Sequence, residues 1–191
     1  MNKIFFFLGL FISAATFAQP VHLKQNCCSC FDSTKMETKN FYHNKLSIDI
    51  PMGSFALTKE QQMAFKIGDG TDTTVNYIFS NDTSLKFLFG YAKLTKKNFT
   101  LDSLLAIAYS ETPKGNTAFK LLLSAEKETI GEHEWAVVVF QRNGGDVIKN
   151  NITYTTIYNG YIFNLGVTYL ETEDGICKAK FRKMAKSVKF N

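Results

Sequence analysis

The chain has 191 residues, which is enough for one domain with a substantial hydrophobic core. Its formal charge of +5 is a modest excess for this size and points to no particular class of partner. The 18 phenylalanines and 8 tyrosines lie mostly in strand-like runs rather than beside clustered lysines and arginines. We therefore expect no nucleic-acid partner.

Residues 1–18 have the pattern of a secretory signal peptide. An early lysine precedes an apolar run at residues 4–12, and Thr16 and Ala18 suit the −3 and −1 positions of a cleavage site. We expect cleavage before Gln19 and a periplasmic or secreted protein. No later run of about 18 apolar residues follows, so we expect no transmembrane segment after cleavage.

Residues 19–40 carry three of the four cysteines and show no sustained hydrophobic period. Cys27, Cys28 and Cys30 lie within four consecutive residues. We predict an irregular, cysteine-bearing arm here, followed by one domain at residues 41–191.

The domain begins with strand and helix signals in turn. The alternation of Leu46, Ile48 and Ile50 with polar residues predicts a half-buried strand that Pro51 ends. Residues 58–67 have the pattern of a short helix.

Two strand patterns and a helix pattern come next, at residues 75–80, 85–94 and 101–109. The second strand is apolar on both faces, because Phe87 and Phe89 alternate with further apolar residues such as Leu88. A strand of this kind needs cover on both sides of its sheet.

The second half of the chain predicts an antiparallel meander and a closing helix. Asn159-Gly160 is a strong hairpin signal, because both residues tolerate a positive φ. Thr172 is suited to cap the last helix, and Cys177 lies on its apolar face. The four strands are expected at residues 119–130, 134–142, 148–158 and 161–170, and the helix at residues 172–188.

This order of elements resembles the PsbP-like superfamily, which includes a Ran-interacting nuclear import factor and exported bacterial proteins. The resemblance is carried by LSIDIP at residues 46–51, NGYIFNLG at 159–166 and FRKMAKSVKF at 181–190. It implies an α+β fold: a single-domain α/β/α sandwich with a central antiparallel sheet. It also implies a binding or assembly role, because members mostly act in that way, and it offers no shared catalytic motif.

The four cysteines favour disulfides in an exported chain. Of the three complete pairings, the one that joins Cys27 to Cys28 makes a strained ring and is disfavoured. The other two connect Cys177 to Cys27 or to Cys28, and Cys30 takes the remaining neighbour. The alternative for Cys177 is a buried free thiol.

A thiol-based metal or redox centre is the competing interpretation of the cysteine cluster. Cys27, Cys28, Cys30 and Cys177 supply four sulfurs, but Cys-Cys-x-Cys is a poor zinc knuckle. The cluster suits Cu(I) better, with His22 as an additional ligand. A dithiol redox motif is expected to open a helix beside a strand rather than to lie in an irregular arm.

Catalytic signals are weak in this sequence. His22, His43 and His133 are the only histidines, and no nucleophile elbow, zinc-protease pair or phosphate loop is present. His133 lies in a predicted hairpin turn, where a solvated side chain is the simpler interpretation. Residues 68–73 resemble a calcium loop but lack its third acidic position and its bidentate glutamate.

The resulting hypothesis is an exported non-enzymatic binding or assembly module without a cofactor. Its expected partner is a protein or a small ligand in the cell envelope. The alternative is a metal-binding or redox protein that uses the Cys27, Cys28 and Cys30 cluster.

Overall fold

A computed structural model describes residues 28–30, 32–58, 75–79, 86–95, 98–111, 121–143 and 148–191. In these ranges the chain forms ten strands and two α-helices. The strands are β1 (Met36–Phe41), β2 (Leu46–Pro51), β3 (Phe55–Ala56), β4 (Val75–Phe79), β5 (Lys86–Lys93), β6 (Leu121–Ile130), β7 (His133–Asn143), β8 (Ile148–Tyr158), β9 (Tyr161–Leu170) and β10 (Lys189–Phe190). The helices are α1 (Leu101–Glu111) and α2 (Asp174–Lys186), with a 3-10 turn at Glu171–Glu173 before α2.

Seven strands form the central sheet in the order β3-β4-β5-β9-β8-β7-β6, and every neighbouring pair is antiparallel. A smaller antiparallel sheet has the order β1-β2-β10. The meander from β6 to β9 is therefore present as predicted, and the central sheet is antiparallel throughout.

The central sheet is covered on both faces. One face packs against the apolar side of α2 and against β2, whose Leu46, Ile48 and Ile50 are fully buried. The other face packs against Leu101, Leu104 and other apolar residues of α1. Alternate residues of the same strand pack into the two cores, because successive side chains of a strand point to opposite faces. The protein is thus an α/β/α sandwich of the α+β class, as predicted.

Strand β5 shows why this cover is needed. Phe87 and Phe89 are completely buried in the α2-side core, whereas Leu88, on the opposite face, is 8% exposed. Burying a phenylalanine side chain stabilises a fold by about 1.5–3 kcal/mol. A sheet that left either face of β5 in water would lose part of that stabilisation.

The hairpin between β8 and β9 has the conformation that its sequence predicts. Asn159 and Gly160 both have positive φ, at 47° and 75°. Two consecutive residues in this region are typical of a type I′ turn, whose twist matches that of the flanking strands. The turn sets a register in which Tyr158 lies opposite Tyr161.

Two local predictions were wrong. The arm is not irregular up to residue 40, because Met36–Phe41 form β1 and pair with β2 from Met36–Pro51 to Phe41–Leu46. Thr172 does not cap the last helix, because it lies within the 3-10 turn and α2 begins only at Asp174, without a side-chain cap. The predicted helix at residues 58–67 extends outside the described residues, as does the loop at 68–73.

Candidate functional site

The described part of the arm is attached to the N-terminal turn of α2. Cys28 and Cys177 form a disulfide with their Cα atoms 5.3 Å apart, across a separation of 149 residues. Both cysteines are completely buried. Cys30 is also disulfide-bonded, and Cys27 lies outside the described residues.

Polar contacts reinforce this attachment. The Glu173 carboxylate accepts hydrogen bonds from the Cys28 backbone N–H and from the Ser29 hydroxyl. The Lys180 ammonium donates to the Cys28 carbonyl oxygen at 2.8 Å, and Lys183 donates to the Ser33 carbonyl oxygen at 3.0 Å. Burial lowers the pKa of Lys180. These two lysines of α2 therefore bind the arm.

The same contact brings together three residues of types that ligate metals. Cys28, Cys177 and Glu173 each place a ligand atom within 4.8 Å of the other two. Zinc and copper bind the thiolate form of cysteine, and two sulfurs that are bonded to each other have no thiolate to offer. The arrangement acts as an anchor for the arm in its disulfide form.

A partly buried polar network adjoins the anchor at the start of α2. The Asp174 carboxylate accepts hydrogen bonds from the Tyr169 hydroxyl at 2.7 Å and from the Asn150 amide at 3.1 Å, and it pairs with Lys178 at 2.7 Å. Burial opposes ionisation of Asp174, but these donors outweigh it and hold the pKa of the carboxyl below its usual value. Burial and the Asp174 carboxylate together raise the pKa of Tyr169 strongly.

At the opposite end of the central sheet, aromatic side chains cross four adjacent strands on the face that α2 covers. Four side chains come from β5, β9, β8 and β7, and each lies two residues along its strand from a residue that faces the α2-side core or continues that face. Two more come from the β1–β2 turn and from β10. We call the following six side chains the aromatic end: Tyr42, Tyr91, His133, Tyr158, Tyr161 and Phe190.

The aromatic end consists of two stacked groups. In the first, Tyr91 stacks on Tyr161 with centroids 4.9 Å apart and planes 3° apart, and Tyr42 lies 5.1 Å from Tyr91. In the second, Phe190 stacks on Tyr158 at 4.6 Å, and His133 meets the Phe190 ring edge-to-face at 5.1 Å. The register between Tyr158 and Tyr161 places the two groups next to each other.

The turn between β1 and β2 has an unusual backbone and closes over the first group. Tyr42, His43 and Asn44 have φ values of 54°, 58° and 63°, in the left-handed region that L-residues avoid. Asn191 supports the turn with two hydrogen bonds. Its side-chain amide donates to the Asn44 carbonyl oxygen at 2.8 Å, and its backbone N–H donates to the Lys45 carbonyl oxygen at 3.1 Å. Such strain persists only where surrounding contacts fix it, and it is concentrated at functional sites.

Three of the four tyrosine hydroxyls at this end are available for hydrogen bonding. The fourth, that of Tyr42, donates to the Phe89 carbonyl oxygen at 3.0 Å. The hydroxyls of Tyr91, Tyr158 and Tyr161 have no hydrogen-bond partner within the described part of the chain. Burial and the neighbouring Tyr161 raise the pKa of Tyr91, so its hydroxyl stays protonated and can donate.

An open groove of about 1370 Å³ passes this end of the molecule. Its walls include the first turn of α1, the turn at Gly131 and Glu132, and the C-terminal segment. His133, Tyr158 and Phe190 line it together with Lys186 and Lys189. The concave shape is suited to a chain segment or a small ligand rather than to a flat surface.

Exposed lysines border the aromatic end. Lys45 lies over the Tyr161 ring at 5.4 Å, which is within cation–π range, and Lys93 pairs with Tyr161 in the sheet register. We call Lys45, Lys93, Lys186 and Lys189 the lysine rim. None of the four forms an ion pair with an acidic residue among those that the structure describes.

The prediction of a solvated His133 in a hairpin turn was wrong. His133 is the first residue of β7 rather than part of the turn, and it is half-buried between aromatic rings instead of solvated. His43 is exposed in the β1–β2 turn, and His22 lies outside the described residues. Neither His43 nor His133 hydrogen-bonds to a carboxylate within the described ranges.

The aromatic end itself was missed by the sequence analysis. Its members come from five separate stretches between residues 42 and 190, so no local motif contains all of them. The one local signal is the pair of tyrosines that flanks Asn159-Gly160, because strand residues next to a tight turn lie at the end of their sheet.

No protein-family model and no curated protein matches the sequence. Solved structures match over most of the chain. Cyanobacterial PsbP (CyanoP) from Synechocystis aligns with a TM-score of 0.62 at 13% identity and covers 86% of this chain and 97% of its own. The Ran-binding protein Mog1p from Saccharomyces cerevisiae gives 0.54 at 6% identity, with coverage of 81% and 95%.

A third structure is LpqN of Mycobacterium tuberculosis, described as involved in cell envelope biogenesis, with a TM-score of 0.51 at 9% identity and coverage of 82% and 91%. Neither α1 nor α2 has the length and apolar character that a membrane crossing requires. At these identities the similarity concerns the fold. The chain has the same α/β/α fold as these structures, which is the fold that its order of elements predicts.

Proposed function

We propose that the protein is an exported, non-enzymatic binding module that holds a protein partner in the cell envelope. The aromatic end is its contact surface in this proposal. The observation that carries it is the convergence of six aromatic side chains, three unused tyrosine hydroxyls and a groove at one end of the sheet.

The composition of this surface suits protein recognition. Tyrosine is enriched among the residues that dominate binding energy, because its ring gives a large contact area at low entropic cost and its hydroxyl gives specificity. Truncating such a residue at the centre of an interface typically costs about 2 kcal/mol or more. The lysine rim supplies the polar border that surrounds such centres.

Structures of the same fold support this use of the scaffold. Mog1p is a Ran-binding protein, and LpqN is described as involved in cell envelope biogenesis. A fold alone does not determine function, so the proposal rests on the surface of this chain rather than on its neighbours.

Export is part of the proposal and follows from residues 1–18. The protein purified from its native host is expected to begin at Gln19, which N-terminal sequencing of the mature chain checks. An N-terminus at Met1 would contradict export through a cleaved signal peptide.

The alternative function, a thiol-based metal or redox centre, has one observation in its favour, the proximity of Cys28, Cys177 and Glu173. Burial weighs against it, because a reactive disulfide needs access for the attacking thiolate and both cysteines are 0% exposed. Free-thiol titration with intact-mass measurement separates the two functions. A protein with reduced cysteines and a bound metal would favour the alternative.

Affinity capture from the native envelope fraction tests the binding role. The wild-type protein is expected to retain a partner that Tyr161→Ser loses, because this change removes a stacked ring and a hydroxyl from the contact surface. Tyr109→Ser is the matched control, since Tyr109 is 58% exposed on α1, away from the aromatic end. Equal retention by both variants would contradict this surface assignment.

A further inference from the structure

We propose that the segment recognised at the aromatic end is acidic, a stretch of protein whose glutamate or aspartate carboxylates meet the lysine rim. This inference rests on the proposed function and specifies the chemistry of the partner. The rim lysines and the tyrosine hydroxyls offer hydrogen-bond donors, and carboxylates are acceptors.

The four lysines of the rim differ from most other basic side chains of the described residues. Lys35, Lys39, Lys127, Lys178 and Arg182 each pair with a nearby carboxylate. Lys180 and Lys183 bind carbonyl oxygens of the arm. The rim lysines have no such acidic partner in the described ranges, so their positive charge is left for a bound molecule.

The tyrosine hydroxyls add a second set of donors at the same place. Tyr158 and Tyr161 lie opposite each other in the sheet, and Lys93 is directly opposite Tyr161. A carboxylate between a protonated phenol and an ammonium accepts from both, and such charge-assisted hydrogen bonds are the stronger kind. A lysine-only patch has no comparable directional donors.

The distribution of charge within the groove favours a protein segment over a membrane surface. Asp102, Glu132 and Glu134 line the groove on the side of α1 and the β6–β7 turn, with Lys127 beside Asp102, whereas Lys186 and Lys189 line it on the C-terminal side. A flat anionic bilayer would approach both sides together and be repelled by the acidic one. A chain segment can place its carboxylates on the lysine side alone.

The probe for this inference is a capped decapeptide of six glutamates and four tyrosines, and the control peptide has glutamine in place of each glutamate. The acidic peptide is expected to shift the backbone amide NMR signals of residues 43–46, 93–94, 131–134, 158–161 and 189–191. The glutamine peptide is expected to bind at least tenfold more weakly. Equal binding of the two peptides, or shifts elsewhere, would overturn the inference.

Charge variants of the protein provide the matched test. The double change Lys45→Glu and Lys189→Glu is expected to weaken the affinity for the acidic peptide at least tenfold. The double change Lys35→Glu and Lys149→Glu alters the net charge equally at the other end of the sheet, about 30 Å away along β8. It is expected to weaken the affinity for the acidic peptide less than threefold. An equal effect of both pairs would reduce the inference to non-specific charge attraction and contradict it.

Two further outcomes distinguish this inference from its alternatives. The protein could bind vesicles that contain phosphatidylglycerol but not the acidic peptide. This result would contradict the inference and identify a membrane surface as the binding partner. The Tyr161→Ser variant could fail to retain the envelope partner while the variant with Lys45→Glu and Lys189→Glu still retains it. This result would contradict the inference that the partner segment is acidic, and it would leave the proposed binding function supported.

Discussion

The Phe190 ring stacks on the Tyr158 ring, with centroids 4.6 Å apart and planes inclined by 12°. This contact joins the last strand of the chain to the β8–β9 hairpin. Phe190 also lies 6.1 Å from Phe163 and 5.1 Å from His133, so it links the α2-side core to the aromatic end. The stability of the domain and the shape of the candidate surface therefore depend on the same residue.

Phe190→Ala is expected to lower the free energy of unfolding by about 1–3 kcal/mol. The loss is smaller than for a fully buried phenylalanine, because Phe190 is half-buried. Urea denaturation measures it, with Phe190→Leu as the control that keeps most of the apolar volume. A change below 0.5 kcal/mol, on the order of a neutral surface substitution, would contradict the packing role.

The β8–β9 turn gives a prediction with an internal control. Gly160 has a φ of 75° and no atom within 4 Å of an added Cβ, so Gly160→Ala is expected to destabilise by about 1 kcal/mol through backbone strain alone. Gly175 in α2 is equally uncrowded but has no positive φ, so Gly175→Ala is expected to stabilise by about 0.5 kcal/mol. Thermal unfolding compares them, and equal effects of the two changes would contradict the turn geometry.

Removal of the anchor disulfide by Cys28→Ala with Cys177→Ala is expected to cost about 3–5 kcal/mol of stability. In the chain-entropy account the cost is large because the bond closes a long loop in the unfolded chain, since its cysteines are 149 positions apart. Urea denaturation of both proteins measures it, and the difference is expected to shrink when the wild-type disulfides are reduced.

Non-reducing peptide mapping of the protein purified from its native host checks the pairing itself. A peptide that joins Cys28 to Cys177 is the expected product. A peptide that joins Cys177 to Cys27 or Cys30, or an alkylated Cys177, would contradict the pairing.

The Asp174 network predicts a stability change at acid pH. The pKa of Asp174 is lowered in the folded protein, so its contribution is fully present above the pKa of the unfolded chain, about 4. This contribution is lost as the pH falls through the folded value. Asp174→Asn is therefore expected to destabilise the protein at pH 7, and its difference from the wild type is expected to disappear as Asp174 becomes protonated in the folded protein.

Chemical denaturation at a series of pH values measures this dependence. Tyr169→Phe removes one of the donors to Asp174 and is expected to give an intermediate dependence on pH. A difference between Asp174→Asn and the wild type that stays constant from pH 7 to pH 3 would contradict the assignment.

The fold was largely predictable because its determinants are local in sequence. The alternation in Leu46–Pro51, the apolar faces of β5 and the Asn159-Gly160 turn each report directly on strand structure. Strand β1 was not predictable in this way, since METKNF has little apolar periodicity and exists as a strand through its pairing with β2.

The candidate site was less predictable because it is assembled from distant positions. Tyr42 meets Tyr91, and His133 meets Phe190, only after the two sheets have packed together. The cysteines were the exception, since their small number restricted the pairings. Even there, the contacts of Glu173 and Lys180 with the arm depend on the position of α2 in the folded chain.

The central claim is that the aromatic end is the surface that contacts a partner. Site-specific photo-crosslinking in the native envelope tests this claim most directly. p-Benzoylphenylalanine at Tyr161 is expected to give a discrete crosslinked species, whereas the same probe at the exposed Tyr109 is expected to give none. A partner that crosslinks from Tyr109 as efficiently as from Tyr161, or no product from Tyr161, would contradict the claim.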